Sequence, residues 1–202
     1  HDVPALTISG LSPSYCEDDN TPVNLVGTPS GGTFSGPGVS GNTWTPSNTG
    51  AGSHTITYTY TDVNSCTNST TVTVIVNALP TVDFTGLSAS YCIDGQATTL
   101  TGIPASGTFS GTGMNVNDFD PALAGVGAHT ITYTYTDVNG CVNSATHSTT
   151  VYALPTPAIT PATVTFCEGN YATLDAGSGY SGYNWSTGFN GQQTLVNTAG
   201  QV

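Results

Sequence analysis

The sequence predicts an all-β chain of tandem β-sandwich domains, each closed by one disulfide and together forming an elongated rod. Three observations carry this expectation. The eleven residues from His54 to Asn64, HTITYTYTDVN, return unchanged from His129 to Asn139, a period of 129 − 54 = 75 residues. A period of that size marks stacked copies of one small unit. Within each copy, apolar and polar residues alternate with period two between clusters of Gly, Asn, Asp and Pro, which is the signature of short strands and turns. The five cysteines keep the same repeat positions to within one residue.

Other landmarks confirm the register. GTFSG at Gly32–Gly36 returns at Gly107–Gly111, and Ala78-Leu79-Pro80 returns at Ala153-Leu154-Pro155. The expected domains are therefore residues 1–79, 80–154 and 155–202, the last divergent and incomplete. No Gly/Ser linker separates them, so neighbouring copies should stack as semi-rigid beads with proline limiting each junction.

Within a copy, Val23 and Leu25 mark an early strand, matched by Leu100 and Leu174. Thr33-Phe34-Ser35 runs into the Gly36-Pro37-Gly38 turn, and a further strand surrounds Trp44 or, in the second copy, Phe119. From His54 to Asp62, His54, Ile56, Tyr58 and Tyr60 share one face and Thr55, Thr57, Thr59 and Thr61 the other. This is a strand with its Ile/Tyr face inward. Val72, Val74 and Val76 continue after the turns Asp62–Ser65 and Asp137–Gly140, so the pair reads as a hairpin whose second strand opens with a cysteine. In the third copy, Tyr171–Leu174, Tyr183–Gly188 and Gln193–Val196 read as strands. Helix should be nearly absent.

The simplest connectivity pairs Cys16 with Cys66 and Cys92 with Cys141, leaving Cys167 with a partner beyond Val202. Such periodic pairing indicates a disulfide framework in an oxidising compartment, not zinc ligation, which favours closely spaced pairs and histidines. Closing a loop of about 50 residues contributes roughly 4 kcal/mol in the chain-entropy model. Buried unlinked thiols are the bland alternative.

The chain has no Lys or Arg against 12 acidic residues, a formal charge of −12. Ordinary usage would supply roughly twenty basic residues. Without them there is no electrostatic footprint for nucleic acid, no polybasic membrane patch and no arginine clamp for phosphate. Lys–Asn isopeptide crosslinks are impossible for the same reason. No apolar run reaches the length needed to cross a bilayer, so direct membrane insertion is not expected. Starting at His1 without a secretory leader, the sequence reads as a mature fragment of an extracellular protein.

Taken together, Ser14-Tyr15-Cys16, the GGTFSGPGVSGNTW stretch at Gly31–Trp44, and HTITYTYTDVN followed by Ser65-Cys66 or Gly140-Cys141 resemble the immunoglobulin-like or PKD-like repeats of large secreted surface proteins of Bacteroidetes-type bacteria. The third copy, with Cys167-Glu168-Gly169 and Tyr183-Asn184-Trp185-Ser186-Thr187-Gly188, looks like a second variety of such modules. The resemblance implies immunoglobulin-like sandwiches in the stalks of adhesins, gliding adhesins included, exported by a type nine secretion system. It equally implies spacers of polysaccharide-degrading enzymes. A Trp following the first cysteine, as at Trp185, matches the immunoglobulin habit of packing indole against a disulfide.

Candidate sites are few. His54 and His129 occupy one repeat position without a recurring Glu, Cys or second His beside them, which favours a structural role over a catalytic or metal one. Glu17-Asp18-Asp19-Asn20 has the oxygen donors calcium wants, but its counterparts are Ile93-Asp94-Gly95-Gln96 and Glu168-Gly169-Asn170, so a solvated loop is favoured. Asp62 with Asn64, and Asp137 with Asn139, are explained by turn chemistry. Asn68-Ser69-Thr70 and Asn184-Trp185-Ser186 match the glycan acceptor pattern. Trp44 or Tyr180 could stack on sugars, though a core position is the commoner fate.

No nucleophile elbow, phosphate loop or repeated carboxylate pair appears. The expectation is a non-catalytic stalk or filament segment of a bacterial surface adhesin, without catalytic residue, metal or cofactor. Its expected partners are neighbouring repeats and surface polysaccharide or other cell-surface components. The alternatives are spacer or carbohydrate-binding domains of a polysaccharide hydrolase, or a filament subunit polymerising by strand donation. Lacking Lys and Arg, the segment should survive trypsin even after reduction and denaturation, and fragments from within it on a gel would refute this.

Overall fold

The computed structural model describes residues 5–165, 167 and 169–197. The chain divides into two compact units, His1–Tyr152 and Ala153–Val202. It is nearly all β, with several separate sheets. The first two copies lie in the first unit and are built from the same set of strands.

Each copy is organised by a long antiparallel hairpin. In the first, Gly52–Thr61 pairs with Thr67–Asn77 from Gly52 opposite Val76 to Thr61 opposite Thr67. In the second, Gly127–Thr136 pairs with Val142–Tyr152 from Gly127 opposite Val151 to Thr136 opposite Val142. Alternation dictates the faces. Ile56 and Tyr58 are buried and Thr55 and Thr61 exposed, with Val74 and Val76 inward from the return strand.

Thr33–Ser35 flanks one edge of this hairpin antiparallel, and Ser14–Cys16 flanks the other edge parallel to the return strand. The second copy repeats the arrangement with Thr108–Ser110 and Ser90–Cys92. A three-stranded sheet, Val23–Asn24, Thr43–Trp44 and Val39–Ser40, and a two-stranded one, Thr7–Ser9 with Val26–Thr28, accompany it in the first copy. The short strands at Thr7–Ser9 and Ser14–Cys16 were not legible as elements, because three residues carry too little alternation to read. Among the described residues helix is confined to single turns at Pro46–Asn48 and Pro121–Ala124.

Leu25, Trp44, Ile56, Val74 and Val76 form the first core, and Phe84, Leu100, Phe119, Ile131, Tyr133 and Val151 the second. Tyr58 shows how strictly the repeat is built. Its hydroxyl accepts from Gly32 N–H at 2.8 Å and donates to Pro29 O, and its ring fills space left by glycines. A Cβ on Gly27 would fall 2.2 Å from Tyr58 Cζ, so only glycine leaves room for the ring. Tyr133 repeats the arrangement with Gly107 N–H at 2.7 Å, Pro104 O, and Gly102.

The second unit pairs Ala172–Asp175 with Gln193–Val196 over a small core of Leu174, Trp185 and Val196. Residues 183–188, expected as a strand, form a turn: Gly188 N–H donates to Trp185 O at 2.8 Å, with Gly188 at φ 81°. Ser-Thr-Gly chemistry outweighs the alternation there. Trp185 packs on Leu and Val, and its indole N–H donates to Gly191 O at 2.7 Å.

The pairing Cys16 with Cys66 and Cys92 with Cys141 is not the one the structure contains. Cys16 is bonded to Cys141, while Cys66, Cys92 and Cys167 are free. The reason is the hairpin. Cys16 lies opposite Asn77, at one end of the strand Thr67–Asn77, and Cys66 immediately precedes its other end. Eleven residues at about 3.4 Å each put the two roughly 35 Å apart, far beyond the reach of a disulfide.

One copy-specific defect stands out. Thr149, at the repeat position of Val74, is 2% exposed, and its hydroxyl has no hydrogen-bond partner. An unsatisfied buried hydroxyl costs about 1–3 kcal/mol. Thr149→Val should therefore stabilise the chain by about 1–2 kcal/mol, read as a higher urea midpoint at unchanged slope; a lower midpoint would sink this account.

Candidate functional site

The feature that joins the copies is the junction inside the first unit, where the base of the first hairpin meets the tip of the second. The tip is built locally. Asp137 Oδ1 accepts from Asn139 N–H at 2.9 Å and from Cys141 N–H at 2.8 Å, and Asp137 N–H donates to Cys141 O at 2.9 Å. Gly140 closes the turn at φ 85°, a left-handed conformation natural to glycine. The Asp-Val-Asn-Gly run thus aims Cys141 away from its own hairpin, and its side chain is fully buried.

The base is built by parallel pairing. Ser14, Tyr15 and Cys16 lie opposite Ile75, Val76 and Asn77, and Glu17 N–H extends the ladder to Asn77 O at 2.9 Å. Tyr15 packs edge-on against the buried Trp44, ring centroids 4.9 Å apart, which fixes the strand end carrying Cys16.

Three contacts then hold the junction. The Cys16–Cys141 disulfide has its Cα atoms 5.6 Å apart and spans 125 residues of sequence. Glu17 Oε1 accepts from Leu79 N–H at 2.9 Å, holding the connecting segment to the base of the first copy. Asn143 Nδ2 donates to Pro80 O at 2.8 Å, holding the same segment to the tip of the second. The acidic loop singled out as a calcium candidate therefore contributes a carboxylate to a backbone amide, and Asp19 caps Thr21 N–H at 2.9 Å.

The remaining candidates disperse. His54 Nε2 lies 2.8 Å from Gly50 O and His129 Nε2 2.8 Å from Gly125 O, so each ring closes its own loop. Asn68 Oδ1 accepts from Ser69 N–H, and Trp44 spends its indole N–H on Pro37 O. Tyr180 is half-buried against Tyr183 beside an open groove of about 350 Å³ that Trp185 also lines. No cluster of three or more His, Cys, Asp or Glu among the described residues is placed to hold a metal ion. His147, not singled out in the sequence, stacks on Phe84 and lies 3.1 Å from Asp83. Among the described residues no helix is long and apolar enough to cross a membrane.

The amide cradle also sets the charge of the tips. At Asp62 the Cys66 N–H bond, with help from Asn64, holds the carboxyl below the ordinary aspartate range. At Asp137 desolvation pushes upward, and the bonds from Cys141, Asn139 and Gly140 outweigh it, so the net shift is again downward.

No protein-family model matches the chain, and no curated protein matches it. Among solved structures it is similar to one described as a Ca2+-stabilized adhesin that helps an Antarctic bacterium reach out and bind ice, at 14% identity and TM-score 0.40. That match covers 100% of this chain and 65% of that one. A second is the Bacteroides ovatus mixed-linkage glucan utilization locus SGBP-B in complex with mixed-linkage heptasaccharide, at 14% identity and TM-score 0.28, covering 98% and 60%. The chain thus spans less than two thirds of either structure, and a likeness at this level carries no argument about function.

Because both tip carboxyls are depressed in the folded state, their contribution is complete above the unfolded aspartate range and is lost as pH falls through the lower, folded value. Asp137→Ala removes one such contribution. Urea unfolding at pH 6 and near pH 2 should differ less in the variant than in the parent, and an unchanged difference would contradict the assignment.

Proposed function

We propose that this chain is a non-catalytic, load-bearing segment of a secreted bacterial surface adhesin, built from tandem immunoglobulin-like sandwich repeats (1–79, 80–154 and 155–202). The observation that carries the reading is the Cys16–Cys141 disulfide, which ties two repeats to each other instead of closing either one. An intramodule bond stabilises a domain; a bond across a junction fixes one domain on the next and resists their separation. The chemistry is that of an oxidising, extracellular compartment.

Other features support a mechanical role. In the duplicated HTITYTYTDVN motif Ile56 and Tyr58 fill the core, His54 closes a loop and Asp62 folds the tip, while Thr55, Thr61 and Val63 face solvent. Both tryptophans, Trp44 and Trp185, are buried, which favours a structural role over a sugar-stacking one. The partners in this reading are neighbouring repeats and, at the cell surface, whatever the parent protein attaches to.

Pulling on the chain ends tests the reading. The 125-residue separation of the bonded cysteines corresponds to about 440 Å of extended chain. Single-molecule extension should be shorter by that length under oxidising conditions than after reduction, and Cys141→Ser should behave as the reduced chain does. Equal extension in both states would refute a stapled load-bearing segment.

A further inference from the structure

The free cysteines are repeat counterparts of the bonded ones. Cys66 occupies the tip position that Cys141 occupies in the second copy, and Cys92 the base position of Cys16. Each open end already has the geometry of the closed one. At the open tip, Asp62 Oδ1 accepts from Asn64 N–H and Cys66 N–H, both at 2.8 Å, and Asp62 N–H donates to Cys66 O at 2.9 Å. At the open base, Ser90, Tyr91 and Cys92 pair in parallel with Thr150, Val151 and Tyr152, and Ile93 N–H donates to Tyr152 O at 2.9 Å.

The turn after each base cysteine is also shared. Asp19 N–H donates to Cys16 O at 3.1 Å, Gly95 N–H to Cys92 O at 2.9 Å, and Asn170 N–H to Cys167 O at 3.1 Å. Cys66 is half-buried, and Cys92 and Cys167 are exposed, so all three remain accessible.

We propose that Cys66 and Cys92 are the two open ends of a head-to-tail disulfide ladder, in which the base cysteine of each repeat bonds the tip cysteine of the next. The partner of Cys92 is the Asp-x-Asn-x-Cys hairpin tip of another copy of this module, and the partner of Cys66 is a Ser-Tyr-Cys strand end. Cys167 is the next base cysteine of the series and takes the tip of a further repeat. Where the partner modules belong to the same polypeptide, successive loops overlap, because the segment from Cys92 to Cys141 then lies in both.

Each rung forms by thiol–disulfide exchange with a low-molecular-weight disulfide such as oxidised glutathione. The tip thiolate attacks one sulfur of that disulfide and releases one small thiolate. The base thiolate then attacks the tip sulfur of the mixed disulfide and releases the second. The two protein thiols lose two electrons and two protons, and the small disulfide gains them.

The ladder rests on the junction seen at Cys16–Cys141 and not on the adhesin reading. Its test is a peptic map, without reduction, of the full protein as secreted, with free thiols alkylated first. The expected result is Cys16 linked to Cys141, Cys92 linked to a tip peptide, and Cys66 linked to a base peptide. If the partner modules belong to the same polypeptide, the protein runs at monomer mass on a non-reducing gel; if they belong to a second molecule, it runs as covalent multimers. Cys92→Ser should free one tip thiol for alkylation while leaving Cys16–Cys141 intact. Alkylated Cys66 and Cys92 in the parent, or bonds joining tip to tip or base to base, would overturn the ladder. Loss of Cys16–Cys141 itself would instead overturn the junction on which both proposals stand.

Discussion

The ladder between Gly52–Thr61 and Thr67–Asn77, repeated between Gly127–Thr136 and Val142–Tyr152, is the constraint from which the rest follows. It gives each repeat two ends. Antiparallel pairing over ten rungs leaves no freedom to bring the tip near the base, because strand rise is fixed by backbone geometry. A cysteine at each end therefore cannot serve its own repeat. Cys16 bonds the tip cysteine of the neighbouring repeat, and the connecting segment, held by Glu17 at one repeat and Asn143 at the next, lies at that junction.

Several of the identities between copies have a structural explanation. Ile56 and Ile131 fill cores, and Tyr58 and Tyr133 each fill a slot between glycines and satisfy two backbone groups. His54 and His129 close loops, and Asp62 and Asp137 fold tips. The copies diverge at other positions, buried ones included. Val74 becomes Thr149 at the cost of an unpaired hydroxyl, and Val72 becomes His147, which finds Phe84 and Asp83. Glu17 becomes Ile93, so the amide contact to the connecting segment is not repeated by the same side chain.

A chain without Lys or Arg must satisfy its carboxylates in another way. Among the described residues the one contact of ion-pair geometry uses a histidine, His147 Nε2 at 3.1 Å from Asp83 Oδ1. The structural carboxylates are instead satisfied by backbone amides at turns and strand ends. Asp62, Asp137 and Glu17 work in this way, and Asp175 gathers Gly177 N–H with the amides of Gln192 and Gln193. At Asp62 and Asp137 these bonds act within a turn, whereas Glu17 reaches Leu79 N–H on the connecting segment, and the disulfide adds the covalent link between the first two repeats.

The sequence by itself determined the repeat, the long hairpins, their inward faces and the tip turns. All of these follow from period and local turn chemistry, which act over a few residues. It misread residues 183–188 because a short alternation cannot outweigh a turn that ends in glycine. It did not determine which cysteines meet. That depends on Ser14–Cys16 joining the return strand in parallel, at the end remote from Cys66. Only the tertiary structure decides such a pairing, because the distance between two cysteines on a hairpin is set by strand order and direction, and neither is written in their spacing along the chain.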